Sequence, residues 1–500
     1  MEPVPLAPSA HTRRRVIAGA ALIVGLVLAA YAPALRGGFV WDDDAYLTNN
    51  PLITAADGLG RIWFSLDAPS QYFPLVYTMF RFEHGLWGMN PLGYHAVNIL
   101  LHALVALLLW RLLAVLSLPG AWLAAALFAV HPVHVESVAW ITERKNLLST
   151  VFLLGSVLTW LRFVAAAPGA RRLLWYGSSL GMCALALFSK TTTCTLPLVL
   201  LLLGWLKGER VSGRRLLHLA PFTVLAVVMG LVTIWWEQNH QGTSGAEFAF
   251  SWPERIIIAG RGFWFYLGKL AFPVNLSFMY PRWSLAAGSL PSYAWPAAAA
   301  LTGGALWLAR ASVGRSTIAA GIFYVVSLGP ILGFVSLYTF RYTFVADHYQ
   351  YVASMAPIAL VAGVCSRTWL SSAALARQRW LVPAALLVLL GAMTWRQAGS
   401  YRDSETLWQQ TLVRNPTSWL AWNNLAAIRV KQRDYPEAER LYRRALEINP
   451  RSAEVQYNLG LLAVDRRDLA ESRQRYRALQ QLDPEQADAL LKLIGVISRP

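Results

Sequence analysis

Long apolar stretches, separated by short polar or basic loops, occupy the chain up to about residue 397. Many of them reach the roughly 17–25 residues that a helix needs to cross a bilayer. They are continuous runs and lack the alternation of a barrel strand, so each is predicted to be a helix. The pattern predicts an all-α, polytopic helical membrane protein with about 11 spans. We place these spans near 15–35, 92–114, 120–134, 146–164, 174–189, 191–206, 216–236, 293–309, 317–337, 350–366 and 380–396.

The segment 254–273 does not fit this series of spans. Its apolar residues are interrupted by Arg261 and Lys269. Such charges are typical of a helix that lies in the membrane interface or packs against a bundle. The sequence leaves open whether this segment crosses the membrane.

Basic residues predict the orientation of the bundle. Arg13–Arg15 precede an apolar run that is too long for a signal peptide, so we expect a retained anchor whose N-terminus is cytoplasmic. Short basic loops then fall on the cytoplasmic side, as the positive-inside rule requires. These loops are 111–120, 162–172, 207–215, 310–315 and 366–379. The outward segments are 36–91, 135–145, 237–292, 338–349 and everything after 397.

The C-terminal part is rich in Arg, Glu, Gln and Asp, and it contains a repeat. "WNNLAAIRVKQRDYPEAERLYRRALEINP" recurs as "QYNLGLLAVDRRDLAESRQRYRALQQLDP", with Pro450 and Pro484 34 residues apart. This period, with small residues where paired helices cross, is the tetratricopeptide signature. We therefore predict a membrane domain, 1–397, with a first outer loop, 36–91, followed by a repeat α-solenoid, 398–500. The solenoid would comprise a partial repeat (about 402–418), two repeats (about 419–452 and 453–486) and a capping helix (485–497).

Composition agrees with a membrane protein and excludes several other classes. Of the 500 residues, 56% are hydrophobic and 14% are charged, against about a quarter charged in soluble proteins. The net charge of +17 is better explained by cytoplasmic loops and anionic membrane lipid than by nucleic acid, so we expect no nucleic-acid partner. The three cysteines are not spaced for zinc or for a disulfide framework, and no Gly-rich phosphate loop occurs.

Three consecutive acids, Asp42, Asp43 and Asp44, follow the first apolar run. They could form a solvated acidic loop. Alternatively, one carboxylate has its pKa raised by its neighbours and acts as a general base, and another holds a divalent cation. Both interpretations remain open from the residues alone.

Histidines occur at two further outward positions. His95, Asn98 and His102 share one helix face, but two turns, about 10 Å, separate the histidines. Polar bonding between helices is therefore favoured over metal ligation. His131, His134 and Glu136 are closer together, and they suit metal or substrate binding as well as structural capping by the His-Pro turn.

Cations complete the outward polar set. Arg144 and Lys145 follow Glu143, with which either could pair, and a guanidinium beside an ammonium also suits a phosphate group. A similar mixture occurs before the predicted tenth span, formed by Arg341, Asp347 and His348. Polar clusters on one side of the membrane predict a shared outer-face site.

Several stretches together resemble a known family. They are "FVWDDDAYLTNNP", "PLGYHAVNILLHAL", "HPVHVESVAWITERKNLLS", "SKTTTCTLPLVLLL" and "ADHYQYVASM", followed by the tetratricopeptide repeats. They resemble the transmembrane and tetratricopeptide-repeat-containing O-mannosyltransferases, and in particular the bacterial relatives of that family. The resemblance covers nearly the whole chain. Two positions depart from it: Asn146 and Phe73 stand where members often carry aspartate and arginine.

The resemblance implies a membrane glycosyltransferase of the GT-C class in a bacterial inner membrane, with the repeats in the periplasm. Such an enzyme would move a mannose-like sugar from a polyprenyl-phosphate carrier to a protein hydroxyl or another acceptor, and the repeats would hold the acceptor protein. Asp42 or Asp43 would be the base, sometimes with a divalent metal cation held by both. The substrate-binding residues would be Arg144, Lys145, Arg341, His95, His131, His134, Glu136, Asp347 and His348.

Two other function classes each fit part of the sequence. A non-enzymatic membrane scaffold could recruit partners through the repeats, but an anchor needs only one span. A transporter would place ionisable residues near span centres, where His102 and Lys190 are the main candidates.

Overall fold

A computed structural model describes residues 10–66, 69–243, 245–371 and 380–497; residues 372–379 of the predicted basic loop 366–379 lie outside it. Within these ranges all regular secondary structure is helical, which confirms the predicted all-α class. The first fifteen α-helices are α1 Ala10–Tyr31, α2 Gly58–Phe64, α3 Pro74–Trp87, α4 Pro91–Val115, α5 Ala121–Ala129, α6 Val135–Ala139, α7 Arg144–Ala165, α8 Ala170–Ser189, α9 Leu196–Leu206, α10 Gly213–His240, α11 Trp252–Ala271, α12 Ala294–Leu308, α13 Arg310–Leu328, α14 Met355–Ser371 and α15 Leu381–Ala398. The remaining six are α16 Ser404–Arg414, α17 Trp419–Lys431, α18 Tyr435–Ile448, α19 Ala453–Asp465, α20 Leu469–Leu482 and α21 Pro484–Ile497.

Local sequence explains where the membrane helices begin. At the start of α4 the Asn90 side chain accepts a hydrogen bond from Leu92 N at 3.1 Å, and Pro91 occupies the first helical position. The Asn90 side chain thus satisfies one backbone N–H that a helix N-terminus leaves unpaired, and Pro91 has no N–H that needs a partner. The α11 helix begins with a capping box formed by Ser251 and Glu254.

Six helices among the described residues are long and apolar enough to cross a membrane, or up to seven if one bent pair is a single span. The prediction of about 11 spans is therefore not confirmed. The bent pair joins α5 to 132–139 with a 54° angle, because the chain leaves the helix at the His131–Pro132 step. Two further apolar helices, Thr191–Leu206 and Met355–Arg367, are shorter than a usual span. The apolar helices themselves indicate an integral membrane protein.

The chain forms two compact units. The first comprises Met1–Leu276 and Ser284–Arg402, and the second comprises Ser277–Trp283 and Asp403–Pro500. In the first unit, every residue from 124 to 150 is buried, including charged residues of the predicted outward loop 135–145. This segment is therefore part of the core and does not form a solvated loop.

The second unit is a stack of antiparallel helix pairs, and its repeat is visible in its helix caps. Ser418 and Ser452, 34 residues apart, each accept a hydrogen bond from the backbone N–H three residues on, at 3.3 Å. Ala426 and Gly460, the predicted crossing positions, are both buried. The side chain of Leu490 in α21 packs against Gly460, so the last helix covers the end of the stack as a cap should.

The second unit also contains a segment from far upstream in the chain. Met279 O accepts a hydrogen bond from Asn415 Nδ2 at 3.1 Å. The ring of Phe278 lies 5.5 Å from that of Trp408 in α16, edge to face. Seven residues between α11 and α12 thus complete the core around the first helix of the repeats.

Candidate active site

Asp43 fixes the shape of the first outer loop. Its Oδ2 accepts a hydrogen bond from Val40 N at 2.8 Å, and its Oδ1 accepts from Thr142 N at 2.9 Å and from the Thr142 hydroxyl. The side chain is buried, and burial raises the pKa of Asp43 to about 7 although these hydrogen bonds oppose the shift. Asp43 therefore joins two distant segments and has little capacity left for a substrate.

Asp42 lies in a different environment. It is half-buried, and its Oδ2 accepts a hydrogen bond from the Tyr338 hydroxyl at 3.1 Å. Burial raises the pKa of Asp42, while the positive charge of Lys145 and the hydrogen bond from Tyr338 lower it. The preceding residue, Trp41, has a φ of 45°, which is unusual for a residue other than glycine. A partly accessible carboxylate held beside a cation suits a general base.

Asp44 differs from both. It is exposed, and its Oδ1 accepts a hydrogen bond from the Thr48 hydroxyl one turn along the chain at 2.7 Å. The three consecutive acids thus have three separate roles in the structure. Asp44 behaves as the solvated acid of the run.

A buried cluster of charges centres on Glu143. Its carboxylate lies 3.0 Å from Lys145 Nζ, 3.2 Å from Lys190 Nζ and 3.8 Å from His348 Nε2. Asn146 Nδ2 also donates to Glu143 Oε2 at 2.7 Å. Glu143 therefore compensates two cations that would be costly to bury alone.

The cluster extends to Glu136 through His348. His348 N donates to Glu136 Oε2 at 3.0 Å, and His348 Nδ1 lies 3.1 Å from Glu136 Oε1 without hydrogen-bond geometry. Asn146 Nδ2 reaches the His348 carbonyl at 2.9 Å. The structure thus brings together the predicted site residues Glu136, Lys145 and His348. Asn146, a departure from the family pattern, joins them as an amide donor.

Lys190 was not among the predicted site residues, although the sequence carried a signal for it. It lies between two apolar segments, directly after α8, where a lysine needs a partner or an aqueous surface. Burial lowers the pKa of Lys190 to about 8, and the nearby Glu143 opposes this shift. Its partner is 47 residues away in sequence, so the pairing itself could not be predicted.

Aromatic rings surround Lys145. Its ammonium lies 5.0 Å from the ring centroid of Tyr46, 5.6 Å from that of Trp140 and 5.8 Å from that of Phe73. Trp140 in turn stacks on Trp41 at 5.6 Å. The site therefore combines an accessible acid and a cation with aromatic walls, which is typical of sites that bind organic ligands.

Arg144 is placed elsewhere, contrary to the expectation that it binds phosphate. Its guanidinium is fully buried, and it forms an ion pair with Glu83. Its Nε donates to Asn98 Oδ1 at 2.8 Å, and its Nη2 donates to the Tyr94 carbonyl at 2.8 Å. With its donors directed at these three residues, Arg144 joins helices together and does not face the Glu143 cluster.

Three of the predicted site histidines connect elements of the first unit. Each is buried, and each uses at least one ring nitrogen on a protein group. Such bonds are typical of structural histidines. The partners are the Gly38 carbonyl for His95 (3.4 Å), the Leu270 carbonyl for His131 (3.0 Å), and the Phe128 carbonyl and Ser354 hydroxyl for His134 (both 2.9 Å).

Arg341 and Asp347 complete the predicted set. Arg341 Nε donates to Glu247 Oε2 at 3.1 Å, in a pair that is exposed on both sides. Asp347 is buried and begins the 3₁₀ turn that carries His348. Asp347 therefore directly precedes His348, a member of the Glu143 cluster. Arg341 instead pairs with Glu247, which lies in a different segment.

The donor groups present do not fit the divalent cation that was considered for Asp42 and Asp43. Among the residues that the structure describes, no group of three or more His, Cys, Asp or Glu side chains is arranged to hold a metal ion. Both Asp43 oxygens already accept hydrogen bonds from Val40 and Thr142. We therefore assign no step to a metal.

Comparisons with known proteins find similarity to a tetratricopeptide repeat family and, over 28–31% of the chain, to proteins named O-mannosyl-transferases. A tetratricopeptide repeat family profile matches residues 389–453 and 428–487. The chain is 37% identical to "Protein O-mannosyl-transferase TMTC1" of Mus musculus over 171 residues, which are 31% of this chain. Over the same number of residues and the same share of this chain, it is 33% identical to "Protein O-mannosyl-transferase F38B6.6" of Caenorhabditis elegans. Over 165 residues, 28% of this chain, it is 35% identical to "Protein O-mannosyl-transferase TMTC4" of Homo sapiens.

The matched segments cover 18%, 25% and 22% of these three relatives, in the order given, so the chain spans a quarter or less of their length. The predicted resemblance to the O-mannosyltransferases and the predicted repeats are confirmed.

Proposed function

We propose that this protein is a membrane glycosyltransferase of GT-C type that moves a mannose-like sugar from a polyprenyl-phosphate carrier to a hydroxyl of an acceptor protein. The observation that carries the proposal is a partly accessible carboxylate, Asp42, held by the Tyr338 hydroxyl within the electrostatic influence of the Lys145 ammonium, which is itself surrounded by aromatic rings. The names of the relatives support sugar transfer to protein. The apolar helices support a carrier that lies in the membrane.

Asp42 is the proposed base. Its Oδ accepts the proton of the acceptor hydroxyl as the oxygen attacks the anomeric carbon, and the bond from that carbon to the carrier phosphate breaks. The raised pKa of Asp42 makes the carboxylate a better proton acceptor than an ordinary aspartate. The Tyr338 hydroxyl holds it in place.

Lys145 is the proposed partner of the departing phosphate. A fixed cation stabilises the negative charge that develops on the leaving oxygen. Glu143 positions Lys145 at 3.0 Å and keeps Lys190 in the same cluster at 3.2 Å. Because Glu143 forms ion pairs with both lysines, two cations can lie near one phosphate without being buried as unpaired charges.

The acceptor protein is proposed to bind the repeats. Stacked repeats form extended concave surfaces that suit protein partners. The proposed location is a bacterial inner membrane, with the N-terminus cytoplasmic and both Asp42 and the repeats periplasmic, because the short basic loops then face the cytoplasm.

The decisive experiment supplies purified full-length protein in nanodiscs with radiolabelled polyprenyl-phosphate mannose and a periplasmic protein extract. We expect label in the protein fraction and stoichiometric release of polyprenyl phosphate. Asp42→Asn should lower this transfer about 10²–10⁴-fold, the usual contribution of a general base.

The matched control is Asp44→Asn, which removes the same charge from an exposed neighbour and should retain wild-type transfer. Equal activity in the two variants would contradict the assignment of the base. If no sugar carrier is turned over while the repeats capture specific proteins, the scaffold alternative is the correct one.

A further inference from the structure

A cavity of about 390 Å³ lies within the first unit, among helices α4, α7, α9, α13 and α14. Its wall is mostly leucine, valine and alanine, with Ser316, Thr317 and two arginines among the polar residues. Representative lining residues are Leu109, Leu153, Leu203, Phe323 and Leu360. A mostly apolar cavity between membrane helices suits a hydrocarbon chain.

Arg315 and Arg367 provide the cationic part of the lining, and both are exposed. Gly314, with φ 79° and ψ 162°, interrupts α13 directly before Arg315, so that a new helical segment begins there. Among the described residues, neither guanidinium has an ion pair or hydrogen bond with a protein group. Two uncompensated arginines beside an apolar cavity provide the charge that an anionic head group needs.

These arginines lie at the end of the bundle opposite to Asp42. The α14 helix begins at Met355, just after the segment that carries His348, and Arg367 is 12 residues further on, about 18 Å along the helix. The loop before α5 packs against the same end, because a Cβ at Gly120 would lie 2.4 Å from the Ala362 carbonyl. In the predicted orientation this end is cytoplasmic.

We propose that the cavity binds an anionic diacyl phospholipid of the cytoplasmic leaflet. One acyl chain lies among the leucines, and the phosphate contacts Arg315 and Arg367. Basic pockets between membrane helices on the cytoplasmic side are suited to such head groups. A sugar donor is a poor occupant, because its phosphate must reach Asp42 at the other end. The preference for a phospholipid over the sugar donor rests on the proposed function, whereas the cavity and its two arginines do not.

The test is native mass spectrometry of the purified, delipidated full-length protein with phosphatidylglycerol and with phosphatidylcholine of identical acyl chains. We expect phosphatidylglycerol to bind at least tenfold more tightly. The double variant Arg315→Gln/Arg367→Gln should lose this preference. The control Arg171→Gln/Arg310→Gln removes the same charge from exposed residues outside the cavity wall and should bind as wild type.

A second variant, Leu360→Trp, narrows the cavity and leaves both arginines in place. It should also weaken phosphatidylglycerol binding at least tenfold. The proposal is overturned if the control pair weakens binding as much as the cavity pair, or if phosphatidylcholine binds equally. It is also overturned if Leu360→Trp has no effect, or if polyprenyl phosphate displaces phosphatidylglycerol in an arginine-dependent manner.

Discussion

At Asp42, burial and two neighbours set the proton affinity of one carboxyl group. The Tyr338 hydroxyl donates to the ionised form and so lowers the pKa of Asp42. We expect Tyr338→Phe to raise that pKa. Because a base must be ionised, activity is lost as the pH falls through this pKa, and the acidic limb of kcat/KM should move to higher pH.

A matched control for this prediction is Tyr72→Phe. The Tyr72 hydroxyl donates to the Trp63 carbonyl at 3.1 Å, in the same outer segment. Its pH profile should stay that of the wild type. Identical acidic limbs for wild type and Tyr338→Phe would show that Asp42 is not the titrating base.

Asp43 should affect stability. Its pKa in the folded protein is about 7, against about 3.9 for an unfolded aspartate, so the folded state holds its proton more tightly. Protonated Asp43 therefore contributes to the stability of the folded state. This contribution is fully present below about pH 4 and is lost as the pH rises through about 7. We expect the melting temperature of the wild type to fall over this interval relative to Asp43→Asn, as measured by thermal denaturation in detergent.

An equal pH dependence in both proteins would contradict this linkage. At any single pH, Asp43→Asn should also lose the hydrogen bond from Val40 N, since an amide nitrogen cannot accept it. Asp43→Asn thus loses stability equally at every pH through the missing hydrogen bond. Because it has no titrating carboxyl group, it avoids the loss of stability that the wild type shows as the pH rises.

The family resemblance favoured Asp42 and Asp43 over Asp44, but the sequence could not choose between the first two. Asp42, Asp43 and Asp44 are adjacent and chemically identical. Their differences come from Tyr338 and Thr142, which are 296 and 99 residues away from their partners. Long-range contacts of this kind leave no local pattern.

Among the helices, Arg144 links α3 with α7 through its buried pair with Glu83. Removing one partner leaves the other charge buried and uncompensated, so Arg144→Met should lower the free energy of unfolding by about 3–5 kcal/mol. Glu83→Gln should destabilise less, because an amide can still accept from the guanidinium. Urea unfolding in mild detergent, followed by tryptophan fluorescence, measures both.

The double variant Arg144→Met/Glu83→Gln provides the control. Because the two side chains interact directly, its loss should be smaller than the sum of the single losses. If the losses in the free energy of unfolding were additive, Arg144 would not act on stability through Glu83. That result would contradict the structural role assigned to this ion pair.

The helices themselves were largely predictable, because apolar periodicity and caps are local. The number of spans was not, since α9, α12 and α14 read as spans from hydropathy but are short. The burial of 135–145 was also missed. Its charges placed it among the outward polar segments, and its burial depends on the pairing of Glu143 with Lys190, 47 residues away.

For the molecule as a whole, the repeat unit depends on the upstream segment 277–283. Phe278 packs edge to face on Trp408, which is almost fully buried. We expect Phe278→Ala in the full-length protein to accelerate limited proteolysis within 404–497, because it leaves a cavity beside α16. Cleavage sites can be identified by mass spectrometry of the fragments.

Phe272→Ala is the control, since Phe272 is exposed in the first unit and lies only six residues away. Its repeats should be cleaved at the wild-type rate. If Phe278→Ala were cleaved no faster than this control, the upstream segment would be dispensable for the repeats. The 34-residue period predicted the repeats, but a segment outside that period could not be assigned to them.

This discontinuous core also constrains the order of synthesis. The segment 277–283 leaves the ribosome about 120 residues before α16, on the order of ten seconds at usual rates of elongation. During that interval Phe278 has no partner from its own unit. Four helices, α12–α15, are synthesised in between, and two of them, α13 and α15, are long and apolar enough to cross a membrane. The repeats therefore finish folding only after the last membrane helix has been made, which ties their maturation to completed membrane insertion.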